Sequence, residues 1–266
     1  MSKYQHIRYT KNMKHSTQGI QLLRYLAGEG LKIFSSKQAK EVACRIDMKP
    51  AYVAESLHHL LKAKWITRLK RGVYALSHEC GFTNPPHEFE IAMALVTPCA
   101  ISHWTAMHYH HLTQQTPTQI FAITPTSTSV PRSTSGGMYH FVRIQEKFYF
   151  GIEKYWVGES QVLITDPERT LLDGLISPQY CGDFQEVLHG FKMRGTQLNL
   201  GKIIRYALHL DQAIVKRLGW ILEKLGFIDR ELKQLLELQI QGYRKLNPSG
   251  KSQGPYNKKW MIQENL

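Results

Sequence analysis

The chain has 266 residues, with 34 Lys and Arg against 21 Asp and Glu, for a formal net charge of +13. Apolar residues make up 42% and recur in periodic blocks, which excludes wholesale disorder and accommodates two domains or one large one. The longest apolar run, residues 91–101, is broken by Thr97-Pro98 and is too short to span a bilayer.

The first eighteen residues lack the apolar stretch of a secretory signal. The four cysteines, at positions 44, 80, 99 and 181, form no CxxC pair. An intracellular, cytoplasmic protein with reduced thiols and no membrane partner is the expectation.

The charge is uneven. Residues 1–78 hold 15 Lys/Arg and only four acids, Glu29, Glu41, Asp47 and Glu55, while the remainder is nearly balanced. A basic module on a neutral body is the footprint of a nucleic-acid binder. The first sixteen residues contribute Lys3, Arg8, Lys11 and Lys14 with no acid, an arm that either follows a phosphate backbone or frays.

In chain order, Ile20, Leu23 and Leu26 or Ala27 make one face of a helix ended by Gly28 and Gly30. Ser35 and Gln38 fit a capping box for a second helix through Ala39, Val42 and Ala43. Pro50 opens a third helix, AYVAESLHHLLKAKW, with a predicted buried stripe of Val53, Leu57, Leu60 and Leu61. Its opposite face carries Tyr52, Glu55, His59 and Lys62, with Ser56 on the flank. Residues 66–69 and 73–76 read as strands joined by Lys70-Arg71-Gly72, with glycine suited to a positive φ.

Three helices and a basic-tipped hairpin are the order of a winged helix-turn-helix, whose third helix enters the major groove. The candidate DNA-contacting residues are Ser36 and Lys37 at the start of the second helix, Lys49, Tyr52, Ser56 and His59 on or before the third, and Arg68, Lys70 and Arg71 on the wing. The partner implied is double-stranded operator DNA.

Asn84-Pro85-Pro86 marks a break, followed by a helix over residues 88–96 and another, HWTAMHYHHL, capped by Ser102. Strands are expected at 119–124, 138–144, 147–152, 155–157 and 161–165, with a Ser/Thr-rich loop at 124–135, so a meander of strands is predicted. Asp166-Pro167-Glu168 starts a helix with an N-cap acid and proline at its first position. Helices then follow at 169–176, 183–193, 200–208, 212–225 and 230–243, a loop at 247–256, and a short strand within 258–263.

The predicted fold class is α+β. A winged helix-turn-helix domain with a basic arm occupies residues 1–78, and a larger mixed α/β domain with a helical C-terminal part occupies 79–266.

No catalytic pattern emerges. His103, His108, His110 and His111 share one helix, but no HExxH or carboxylate at ligand spacing accompanies them, so packing or surface histidines are expected and no metal. There is no Asp-x-Asp, no GxxxxGK and no GxGxxG, and the sole Glu-x-Lys, Glu231-Leu232-Lys233, falls in a helical pattern. No enzyme and no cofactor is expected. A nucleic-acid-processing enzyme targeted by a winged helix is the alternative.

The stretches AYVAESLHHLLKAKWITRLKRGVYAL, AISHWTAMHYHHLTQQTPTQIFAIT, LITDPERTLLDGLI and LGKIIRYALHLDQAIVKRLGWILEKLG, in this order, resemble the AbiEi-type antitoxins of bacterial type IV toxin–antitoxin and abortive-infection systems. The resemblance runs from about Gln18 to the C-terminus. It implies autorepression of a two-gene operon and a functional partner in a nucleotidyltransferase-like toxin, opposed without a stable direct complex. An antitoxin acting by direct contact is the other possibility. The segment Thr165-Asp166-Pro167-Glu168-Arg169-Thr170 looks like a hallmark of that family, and its residues read as a helix cap with an internal Arg–acid pair.

Overall fold

The computed structural model describes residues 17–127, 133–134 and 137–266, so the basic arm and part of the Ser/Thr-rich loop lie outside the described residues. The chain divides into two compact units: Met1–Leu95 with Ser129–Met138, and Val96–Thr128 with Tyr139–Leu266.

In the first unit, α1 (residues 17–28) buries Leu22, Leu23 and Leu26 completely, while Ile20 is only half-buried. Strand β1 (Ile33–Ser35) leads into α2 (Ser36–Arg45). The predicted capping box is formed, with Gln38 N–H donating to Ser35 Oγ at 3.2 Å and Ser35 N–H donating to Gln38 Oε1 at 2.8 Å. A single 3₁₀ turn, Pro50–Tyr52, precedes α3 (Val53–Lys62). Strands β2 (Ile66–Lys70) and β3 (Val73–Leu76) form the wing, turned at Gly72 with φ of 74°. Strand β1 adds to β3 antiparallel, Phe34 opposite Tyr74. It is three residues long, too short for an alternating pattern, and sequence reading missed it.

The boundary lies at Leu95, not at His78. Cys80 joins the core formed by Phe34, Met48, Leu57 and Ile66. Helix α4 (Glu88–Leu95) packs on β2, and Lys70 Nζ donates to the Leu95 carbonyl at 2.8 Å.

The second unit is built on a sheet whose middle strand, β5 (Ile120–Thr124), is buried at every residue. It pairs antiparallel with β4 (Ala100–Ile101), and parallel with β7 (Gly137–Arg143) from Tyr139 onward. Strand β6 (Ser133–Thr134) pairs with the first residues of β7, within the first unit. Strand β9 (Ser160–Thr165) runs parallel to β4 and antiparallel to the edge strand β8 (Ile152–Val157). The parallel pairs break the expected meander, because β9 inserts beside a strand distant in sequence.

Residues 147–151 are also not a strand, and β8 starts only at Ile152. They hold a 3₁₀ turn and Gly151 at φ 67°, where a Cβ would stand 2.7 Å from Arg169 Cβ. Glycine here lets the chain approach α6 (Pro167–Ile176), and Asp166 N–H donates to the Gly151 carbonyl at 2.9 Å.

Helix α6 has eight of its ten residues buried. Around it lie α5 (His103–Tyr109), α7 (Phe184–Arg194), α8 (Leu200–His209) and α9 (Gln212–Lys224), and α10 (Asp229–Glu237) packs on α8 and α9. A small sheet of β10 (Arg244–Lys245), β11 (Tyr256–Asn257) and β12 (Ile262–Gln263) ends the chain, with Trp260 fully buried beside it. None of the four cysteines forms a disulfide among the described residues. Among the described residues, no helix is long and apolar enough to cross a membrane.

Candidate nucleic-acid interface

Helix α3 faces the core with Val53, Ser56, Leu57 and Leu60. That spacing is i, i+3, i+4, i+7, one continuous stripe. Leu61, expected in it, is half-buried. Ser56, expected to read bases, is a correction: it is 1% exposed and its hydroxyl has no hydrogen-bond partner among the described residues. The reason is the approach of α1, where a Cβ on Gly19 would lie 3.9 Å from Ser56 Cβ. Two small residues let the helices close on each other.

The outward stripe is Glu55, His58, His59 and Lys62, all exposed. His58 was missed from sequence because the face was drawn one residue off. Glu55 has a partner on its own helix, with His59 Nε2 3.9 Å from Glu55 Oε1 and both side chains about half exposed. Tyr52 sits in the 3₁₀ turn and packs partly against the core, which leaves only part of it facing outward. Lys49, just before that turn, is exposed.

The wing and the start of α2 are tied together. Ser36 N–H donates to the Gly72 carbonyl at 2.8 Å, and the Ser36 hydroxyl lies 3.5 Å from the same oxygen. Ser36 is therefore half-buried and structural, while its neighbour Lys37 and the wing's Arg71 are both exposed beside this tie. Arg68 is exposed as well, next to a register shift between Arg68 and Lys70. Lys70 is a second correction. Its ammonium turns to the Leu95 carbonyl at the C-terminal end of α4, where a cation meets the negative end of the helix dipole.

In the second unit the segment from Thr165 to Thr170 is packed inside. Asp166 caps α6, accepting from Arg169 N–H at 2.9 Å through Oδ1 and from Tyr206 OH at 3.0 Å through Oδ2. Lys202 Nζ lies 3.2 Å from Asp166 and 2.9 Å from Glu153. Glu168 accepts from Asn199 N–H at 3.1 Å and lies 3.5 Å from Arg194. Arg169 pairs with Asp173 through Nε and Nη2, each 2.9 Å away. These carboxylates are occupied by caps and ion pairs.

The four histidines of the 103–111 stretch disperse. His103 is buried, and desolvation pushes its pKa down to about 4. His110 Nε2 lies 2.7 Å from the Thr165 carbonyl, and burial lowers its pKa too. His108 and His111 are exposed. Among the described residues, no group of three or more His, Cys, Asp and Glu could hold a metal ion.

No family model and no curated protein matches the chain. Among solved structures, the crystal structure of the RV2827C protein from Mycobacterium tuberculosis is similar, with a TM-score of 0.69 at 10% identity, covering 94% of this chain and 90% of that one. The likeness is one of fold: a mixed α+β chain with helices first, then sheets, then C-terminal helices.

Proposed function

We propose that this chain is a sequence-specific DNA-binding repressor of its own operon and the antitoxin of a type IV pair, opposing a nucleotidyltransferase-like toxin without a stable complex. The observation that carries the DNA-binding half is the tie between Ser36 and Gly72, which joins the start of α2 to the wing, with the neighbouring cations Lys37 and Arg71 both exposed. Helix α3 presents His58, His59 and Lys62 on its outward stripe, and Lys49 stands at its start, where a lysine and a helix end together suit a phosphate. The antitoxin half rests on the resemblance of the four sequence stretches to AbiEi-type proteins. This reading gives the chain no catalytic step.

The test is operator binding across a salt series. Each lost phosphate contact lowers the slope of log K against log salt by about 0.9. Arg71→Ala and Lys37→Ala should each do so on operator and random DNA alike. Lys70→Ala should leave the slope unchanged, since its ammonium is committed to Leu95. Salt-independent binding, or an unchanged slope for Arg71→Ala, removes the wing from the interface. Co-expression with the neighbouring toxin gene tests the rest: Arg71→Ala should lose repression and keep protection.

A further inference from the structure

The second unit contains a cavity of about 520 Å³ between the end of β7, α6 and the start of α9. That is the size of a pocket for a small organic molecule. Its walls are mostly apolar, with Ile144, Phe148, Ile176, Leu210 and Ile214 among them.

The polar groups of the wall are unequal. Arg169 and Asp173 neutralise each other, although Arg169 Nη1 and Asp173 Oδ2 have no hydrogen-bond partner among the described residues. His103 is held neutral by burial. At the rim, Arg143 and Asp211 are exposed, and Asp211 caps α9 through Ala213 N–H at 2.7 Å. The remaining buried charge is that of Arg217. It is 8% exposed, and no carboxylate among the described residues lies within ion-pair distance of it.

Two backbone carbonyls hold the Arg217 guanidinium in place: Nε donates to Lys245 at 2.9 Å and Nη1 to Leu175 at 3.0 Å. Those bonds fix its plane but supply no counter-charge. Desolvation pulls its pKa down to about 10 against the opposing pull of Asp211 at the rim, and the nearby Arg244 lowers it further. Burying an uncompensated charge is costly, and a guanidinium presents several donors in a rigid fork suited to carboxylate or phosphate oxygens.

We propose that this cavity binds a small organic anion, its carboxylate or phosphate oxygens against Arg217 and its apolar body against Phe148, Leu210 and Ile214. The site is independent of the DNA-binding reading.

The test uses the full chain and 8-anilinonaphthalene-1-sulfonate, a fluorescent anion with an aromatic body. Binding should saturate at one probe per chain, and Ile214→Trp, which fills the cavity, should abolish it. On the unaltered chain, 1-naphthoate should displace the probe at about tenfold lower concentration than uncharged 1-naphthylmethanol of the same size. Arg217→Met should remove that preference, and Arg217→Lys should retain most of it. Because Arg217 also ties two carbonyls, the comparison on the unaltered chain stands whether or not the Met variant folds. Equal displacement by the two naphthalenes, or probe binding untouched by Ile214→Trp, overturns the proposal.

Discussion

Ser56 separates two views of α3. If it belonged to a base-reading face, Ser56→Ala would cost operator affinity and leave stability alone. The structure gives the opposite expectation. The Ser56 hydroxyl is buried, 1% exposed, and has no hydrogen-bond partner among the described residues. An unsatisfied buried hydroxyl costs roughly 1–3 kcal/mol, and serine in a helix interior costs about 0.5 kcal/mol more than alanine. Removing the oxygen leaves a void smaller than a methyl group, which offsets part of the gain. Ser56→Ala should therefore stabilise the first unit by about 1–2 kcal/mol. For a unit of that size this is a rise of roughly 4–16 °C in Tm. Thermal melts followed by circular dichroism give the shift, and a gel shift on operator and random DNA gives the affinity, which should stay within about twofold. A destabilised variant that loses operator binding while keeping random-DNA binding would refute the placement of Ser56 in the core.

Two further predictions concern the second unit. Asp173→Ala strands the Arg169 guanidinium, 1% exposed, without its partner and should cost about 3–5 kcal/mol in urea unfolding. The double change Arg169→Met with Asp173→Leu should recover most of that loss, and a single variant costing under about 1 kcal/mol would show the pair to be idle. Burial lowers the pKa of His103 from 6.5 to about 4, so the native state binds fewer protons than the unfolded one between those values. Stability from this group is present above pH 6.5 and falls as pH drops toward 4, by about 3 kcal/mol in total. Melts of His103→Gln against the unaltered chain at pH 7 and pH 4.5 isolate this contribution, and identical pH dependence in the two would exclude it.

Much of the first unit was legible in its sequence because its signals are local. A capping box needs only residues 35 and 38, and a hairpin turn needs only Gly72. The face of α3 was harder. Spacing alone gives 53, 56, 57 and 60, but the serine's polarity pulled residue 56 outward and Leu61 inward. What put Ser56 inside was Gly19, 37 positions earlier, and no local pattern encodes that approach. Lys70 was misplaced for a similar reason, since its acceptor lies at Leu95. In the second unit the helix start at Asp166 was readable as a cap. The parallel pairing of β9 with β4 was not, because it joins Ile101 to Ile164 across α5 and the strands β5 to β8. The cavity was invisible for the same cause: its wall draws on β7, α6 and α9 at once.

The two units differ in what they do with their cations more than in how many they hold. Placing the boundary at Leu95 gives the first unit Glu79, Glu88 and Glu90 and no further Lys or Arg from that segment, so net charge alone separates the units less sharply than residues 1–78 did. Two of these acids have local structural duties: Glu90 accepts from His87 N–H at 2.7 Å, and Glu79 lies 3.3 Å from the Ser77 hydroxyl. Lys37, Lys49, Arg68 and Arg71 meanwhile stay exposed. In the second unit the direction reverses. Arg169, Lys216 and Arg217 are buried, Arg169 against a carboxylate and the other two against backbone carbonyls. Lys216 donates to two carbonyls near the end of α10, the Leu235 and Leu236 oxygens, and stays within the core. Arg217, one residue later on the same helix, turns to a cavity wall. Exposed cations on a wing suit a polyanion that arrives from solvent, whereas a buried guanidinium with no carboxylate among the described residues at ion-pair distance suits an anion small enough to enter. The same residue types therefore point to two ligands of very different size, and the salt series on Arg71 and the naphthoate displacement on Arg217 test them separately.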